Sequence, residues 1–227
     1  LSLADRLLPT IRIGAQSMLA TLGNQVTRTI YTLCITLMLW PVTLWAGNAS
    51  ETEAPSTDVQ AGCAAIFDHS MRQLHSQQQI DLCALTQGKP VLVVNTASHC
   101  GFTPQFKGLE ALHKRYQEQG LVVVGFASDD FNQEAKNEKA AANICYINYG
   151  VSFIMLAPSS VKGEQANPTF KVLGEKSTAP GWNFNKYLVD PSGQVIKHFG
   201  SSVQPNSSEV IEAIHTALGI IRSTPPS

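Results

Sequence analysis

The sequence is short of charge. Of its 227 residues only 15% are Asp, Glu, Lys or Arg, and the formal net charge is −1. Nothing in that balance resembles the basic surface that a phosphate backbone demands, so nucleic acid is not an expected partner. No internal repeat is visible. Five cysteines, Cys34, Cys63, Cys83, Cys100 and Cys145, never stand at metal-site spacing, so no metal is expected. A Cys-x-x-Cys is missing as well: the residue three after Cys100 is Thr103, which speaks against a dithiol exchange motif. What remains is enough chain for one domain of ordinary size plus an appendage.

Residues 1–50 are the appendage. Arg6, Arg12 and Arg28 precede a run from Ile30 to Trp45 that holds no charge, and the small residues Ala46, Gly47 and Ala49 follow. A basic region, an apolar stretch and a small-residue end are the parts of an export signal. The apolar stretch, interrupted by Thr32, Thr36 and Pro41, falls short of the ~20 residues of a comfortable membrane span. A cleaved signal is therefore preferred to an uncleaved N-terminal anchor. The expected location is periplasmic or secreted, with inner-membrane anchoring as the alternative. Residues 51–62, polar and with Pro55, read as a flexible linker. Residues 63–221 read as the folded domain and 222–227 as a Pro-rich tail.

Within the domain, Ala64–Phe67 and Ile80–Leu82 read as a hairpin flanked by Cys63 and Cys83. In an oxidising compartment those two cysteines are candidates for a structural disulfide, two unrelated thiols being the alternative. The run Val91–Val94 is β-branched and apolar, too short for a helix, and predicts a buried strand. Phe106, Leu109, Leu112 and Tyr116 then recur at helical spacing, with Thr103 as N-cap, Pro104 at the first helical position and Gly120 beyond the end. Leu121–Ala127 predicts a second buried strand, and the pair makes a βαβ unit. The residues from Ala135 to Tyr149 read as a helix, Val151–Leu156 as a strand and Phe170–Leu173 as a short helix. Strands at Tyr187–Val189 and Val195–Phe199 flank the turn Pro191-Ser192-Gly193, and Ser207 or Ser208 caps a last helix.

Cys100 thus sits in a turn between a strand and a helix. Unpaired backbone N–H groups ahead of a helix favour an anion and help a thiol toward its nucleophilic thiolate. A buried structural cysteine is the plainer reading of any single cysteine; this position favours chemistry.

The stretch Asn95-Thr96-Ala97-Ser98-His99-Cys100-Gly101-Phe102-Thr103-Pro104-Gln105 resembles the active-site signature of the glutathione peroxidase family in its cysteine form. Further motifs in order extend the resemblance from roughly Ile66 to Leu218. The loop Ser128–Glu134 resembles the second motif, with Gln133 at the position whose amide points at the active thiol. Ala127 and Asp129 depart from the family's usual Pro and Asn, and Asp129 adds negative charge that opposes a nearby thiolate. Cys145-Tyr146-Ile147-Asn148-Tyr149-Gly150 resembles the segment bearing the resolving cysteine of thioredoxin-dependent members. Trp182-Asn183-Phe184-Asn185-Lys186-Tyr187 resembles the third motif, which supplies Trp182 and Asn183.

The resemblance implies a thioredoxin-like α/β fold, a central mixed sheet flanked by helices, and a thiol peroxidase. Cys100 would attack a hydroperoxide, Gln133, Trp182 and Asn183 would stabilise the charges involved, and Cys145 would close a disulfide. The implied reductant is a thioredoxin-like dithiol protein or glutathione, and no cofactor is required. The short stretch 157–181 lacks the insertion that makes the tetramer contact in larger members, so a monomer is expected. A disulfide exchange protein or a non-catalytic periplasmic binding or scaffold protein of the same fold are the alternatives.

Overall fold

A computed structural model describes residues 62–220. The expected leader, nearly all of the linker, the tail and Cys34 lie outside these residues. Two short strands, β1 (Ser70–Arg72) and β2 (Gln79–Asp81), form an antiparallel hairpin. Five longer-range strands follow: β3 (Val91–Thr96), β4 (Val122–Ala127), β5 (Ile154–Leu156), β6 (Lys186–Val189) and β7 (Val195–Phe199). They form one mixed sheet in the order β5–β4–β3–β6–β7. Strands β5, β4 and β3 run parallel; β6 and β7 are antiparallel to their neighbours.

Strand β3 lies at the centre and every one of its residues is buried. Its side chains alternate between faces: Leu92 and Val94 enter one apolar cluster, Val91 and Val93 the other. On the first face pack α2 (Phe106–Tyr116), α3 (Glu138–Ala142) and α5 (Ser208–Ala217), through residues such as Leu109, Ala141 and Val210. On the second face pack α1 (Leu82–Thr86) and α4 (Pro168–Lys176), through Leu82, Phe170 and Leu173. Each Val or Leu of β3 taken fully out of water is worth roughly 1.5–3 kcal/mol, so this strand anchors both layers.

Several expectations need correction. Ala65–Phe67 is a 3-10 turn and not a strand, because Ile66 and Phe67 are both buried side by side, which a one-sided strand does not allow. The hairpin is instead β1–β2. Thr103 does not cap α2: residues Thr103–Gln105 form a 3-10 turn of their own, and α2 starts at Phe106. The helix expected from Ala135 to Tyr149 is only α3, followed by a π-helical turn at Asn143–Asn148. Strand β5 is half the expected length, and α4 is longer than expected because Asn167 caps it and Pro168 opens it. Gly120 does close the α2 region, at φ 99°, and Ser207 does cap α5 by accepting from the Val210 N–H.

Cys63 and Cys83 are joined, with Cα atoms 5.4 Å apart and a sequence separation of 20. The bridge ties the start of the domain to α1. Replacing both by Ser should cost about 3 kcal/mol of stability, which for a domain of this size is a fall in Tm of about 10 °C. Thermal unfolding of the double variant checks this, and an unchanged Tm would mean that the bridge restrains nothing.

Candidate active site

Strand β3 delivers the chain to the site and the loop behind it is held from within. Thr103 Oγ1 donates to the Ala97 carbonyl at 2.9 Å and accepts from the Cys100 N–H at 3.1 Å. The Thr103 N–H donates to the Cys100 carbonyl at 3.0 Å. This threonine therefore closes the cysteine turn, a role that its position before Pro104 had disguised. Cys100 is a free, buried thiol, and the Phe102 N–H points at its Sγ at 3.4 Å.

The second loop docks on this turn. The Gln133 carbonyl accepts from the His99 N–H at 2.9 Å, directly beside Cys100. Gln133 Oε1 accepts from Asn183 Nδ2 at 3.0 Å, which leaves the amide of Gln133 its NH2 to offer. Glu134 accepts from the Ser98 N–H at 3.2 Å, from the Ser98 hydroxyl and from the Ala135 N–H at 2.7 Å. Burial above all, and then the charge of Asp129, raises the pKa of Glu134, while its hydrogen bonds oppose the shift. Asp129 itself is exposed and accepts from the Glu134 N–H at 2.9 Å.

The third segment comes from the opposite side of β3. Asn183 is wholly buried, and its Oδ1 has no hydrogen-bond partner. A buried acceptor left bare costs about 1–3 kcal/mol and is a feature kept at functional sites. Trp182 is 42% exposed, and its ring lies 5.3 Å from that of Phe131. The Trp182 carbonyl accepts from Asn95 Nδ2 at 2.9 Å and from Asn185 Nδ2 at 2.7 Å. Gln133 thus bonds both to His99, the neighbour of Cys100, and to Asn183, the neighbour of Trp182. Asn95 and Asn185, which hold the Trp182 carbonyl, and Glu134, which holds Ser98, had no assigned role; only their place inside the recognised motifs could have flagged them.

Cys145 stands apart. It is a free thiol buried in the same apolar cluster as Cys100, inside the π-helical turn. Burial first, and then the charge of Glu134, pushes its pKa up to about 12 from an ordinary 9.0. In the folded protein it is a poor nucleophile at neutral pH. Between these two values the unfolded chain gives up the proton and the folded chain keeps it, so the stability this thiol supplies below pH 9.0 is lost as pH rises toward 12. Denaturant unfolding should show the stability of wild type over Cys145→Ser shrinking across that window. A difference that is flat with pH would mean that the thiol is not shielded.

A family model described as glutathione peroxidase matches residues 66–174. The glutathione peroxidase-like peroxiredoxin gpx1 of Schizosaccharomyces pombe is 44% identical over 129 residues, 54% of this chain and 82% of that protein. The glutathione peroxidase of Lactococcus lactis is 44% identical over 129 residues, with the same shares. The hydroperoxy fatty acid reductase of Synechocystis is 40% identical over 134 residues, 53% of this chain and 78% of the relative. Among solved structures, Trgpx in its apo form superposes with a TM-score of 0.54 at 28% identity, over 69% of this chain and 97% of that one. A thiol:disulfide interchange protein, DsbE, from Chlorobium tepidum superposes with a TM-score of 0.51 at 18% identity, over 70% and 98%, and shares the fold alone. The fold is thioredoxin-like, as expected. With its cysteine turn, the docked Gln133 loop and the Trp182–Asn183 turn all in place, the chain belongs to the glutathione peroxidase family.

Proposed function

We propose that this thiol peroxidase reduces hydrogen peroxide or organic hydroperoxides through Cys100. The observation that carries the assignment is the Cys100 turn, where a backbone N–H meets the sulfur and the neighbouring His99 is bonded to Gln133. The Cys100 thiolate attacks the terminal peroxide oxygen. The S–O bond forms as the O–O bond breaks, giving a sulfenic acid and an alkoxide or hydroxide that is protonated to alcohol or water. Gln133, Asn183 and Trp182 offer N–H donors where that charge develops.

The Cys145 thiol then displaces the hydroxyl of the sulfenic acid, forming a Cys100–Cys145 disulfide and releasing water. Cys145 must first leave its buried place, and a π-helical turn is an irregular element suited to that. The segment is held at its N-terminal end by Glu138, which pairs with Arg72 of β1 and accepts from the His75 N–H at 3.0 Å. A dithiol protein of the thioredoxin type, or glutathione, returns the two electrons. An exported location fits the order of basic and apolar residues in 1–50 and a Cys63–Cys83 bridge, since disulfides persist in oxidising compartments. A monomer fits the short 157–181 stretch.

Stopped-flow oxidation with a coupled dithiol assay tests the two cysteines. Cys100→Ser should abolish peroxide consumption; full activity would end the proposal. Cys145→Ser should keep the first oxidation step, lose turnover with a dithiol protein and over-oxidise at Cys100 more readily. Wild-type turnover in that variant would make Cys145 a packing residue.

A separate expectation concerns the anchor. Arg72→Met should leave the first oxidation step unchanged and speed closure of the Cys100–Cys145 disulfide, by about two- to fivefold for an exposed ion pair. Unchanged closure would show that the pair does not restrain the segment.

A further inference from the structure

Lys186 opens β6, opposite Val94 of β3 and Phe199 of β7, and its side chain is wholly buried. A buried ammonium is costly unless every N–H finds an acceptor. Here three acceptors meet it: Gln105 Oε1 at 2.8 Å, the Val203 carbonyl at 2.5 Å and the Ser201 carbonyl at 3.4 Å. All three are neutral. Burial draws its pKa down to about 8. From β7, His198 faces it: burial first and then the Lys186 charge lower the pKa of that ring.

Where those acceptors lie gives the amine its meaning. Gln105 ends the turn begun by Thr103, the residue that holds the Cys100 N–H. Gln105 Nε2 also donates to the Ser201 carbonyl at 2.6 Å. Ser201 Oγ accepts from Asn185 Nδ2 at 3.2 Å, and the same amide reaches the Trp182 carbonyl. One ammonium therefore joins the turn carrying the nucleophile to the turn carrying Trp182 and Asn183. An apolar side chain would fill the same space at less cost in desolvation, but would leave Gln105 Oε1 and the Val203 carbonyl without this donor.

We propose that Lys186 is a positioning residue of the peroxide-reducing step, fixing the Cys100 turn through Gln105 and the Trp182–Asn183 turn through Ser201 and Asn185. The proposal rests on Cys100 as the peroxidatic thiol. Lys186 makes and breaks no bond; it keeps the thiolate and the donors in register, and misplacement of about 1 Å between such groups costs up to about 100-fold in rate.

The test compares two reactions of the same thiol in the full chain at one pH: oxidation of Cys100 by hydrogen peroxide and its alkylation by iodoacetamide. Alkylation needs only an accessible thiolate, whereas peroxide cleavage also needs the aligned donors. In Lys186→Met oxidation should slow by about tenfold or more while alkylation changes by less than about threefold. Gln105→Leu should move the same ratio in the same direction by a smaller factor. An unchanged ratio in Lys186→Met overturns the proposal, as does a parallel fall in both rates.

Should Lys186→Met fail to fold, wild type supplies the readout. The ratio of oxidation to alkylation cancels thiolate ionisation, and it should drop as pH passes through about 8, where Lys186 loses its charge. A ratio flat across that range overturns the proposal. Peroxide consumption surviving in Cys100→Ser would instead overturn the underlying site assignment, and this proposal with it.

Discussion

Asn95 is the residue on which the site depends. It is fully buried near the end of β3, and all of its polar groups are used. Its N–H donates to the Asn185 carbonyl and its carbonyl accepts from the Phe184 N–H at 2.7 Å. Its side-chain amide donates to the Trp182 carbonyl, and its Oδ1 accepts from the Asn185 N–H at 2.9 Å. One side chain so grips both the entry and the exit of the Trp182–Asn185 turn. Phe184 within that turn sits at φ 60°, a conformation costly for a residue with a bulky side chain. The hydrogen bonds of Asn95, together with burial of the Phe184 ring against Phe106, hold it there. An Ala at 95 would keep the two backbone bonds to the turn and lose the two side-chain bonds.

The two free cysteines among the described residues sit in different surroundings. Both are buried and both lie in the same apolar cluster. Cys100 has the Phe102 N–H directed at its sulfur, in a turn that opens toward α2. Cys145 has apolar walls and the negative field of Glu134, each of which holds its proton in place. Glu134 is bonded to Ser98, two residues before Cys100, so this carboxylate belongs to the loop of one thiol while governing the other. Any rearrangement that separates Glu134 from the Cys145 segment lowers the barrier to ionising that thiol.

The sheet and the cysteine turn were legible because local pattern and global role coincide there. Val91–Val94 is apolar on both faces, which suits only a central strand, and Gly120 and Gly193 stand where the backbone needs positive φ. Elsewhere the local signal pointed astray. Thr103 before Pro104 has the look of an N-cap, yet its hydroxyl is drawn backward to Ala97 by the demands of the loop. The Ala-rich 135–149 segment has helical composition, and the widening into a π-turn follows from tertiary packing that puts Cys145 inside and leaves Ile147 75% exposed. Lys186 is the strongest case: no pattern of polarity predicts a lysine with zero exposure, because its acceptors come from residues 81, 17 and 15 positions away. Gln133 and Asn183 were placed by motif order, and their mutual hydrogen bond was beyond the reach of sequence.

The β1–β2 hairpin has a consequence for solubility. Strand β5 ends the sheet, and an open edge of that kind is a template on which a second chain can add. The chain leading out of β1 lies along it instead: the Leu74 N–H donates to the Met155 carbonyl, the Ala157 N–H to the Arg72 carbonyl, and Gln73 bridges Leu156. The covering segment is part of the hairpin that leads into α1, which carries the disulfide to Cys63, and it is tied to α3 as well through the Arg72–Glu138 pair. The same short stretch therefore covers the edge of β5 and anchors the start of α3. An edge already paired within its own chain does not offer a neighbouring chain the row of free backbone groups on which a strand could add.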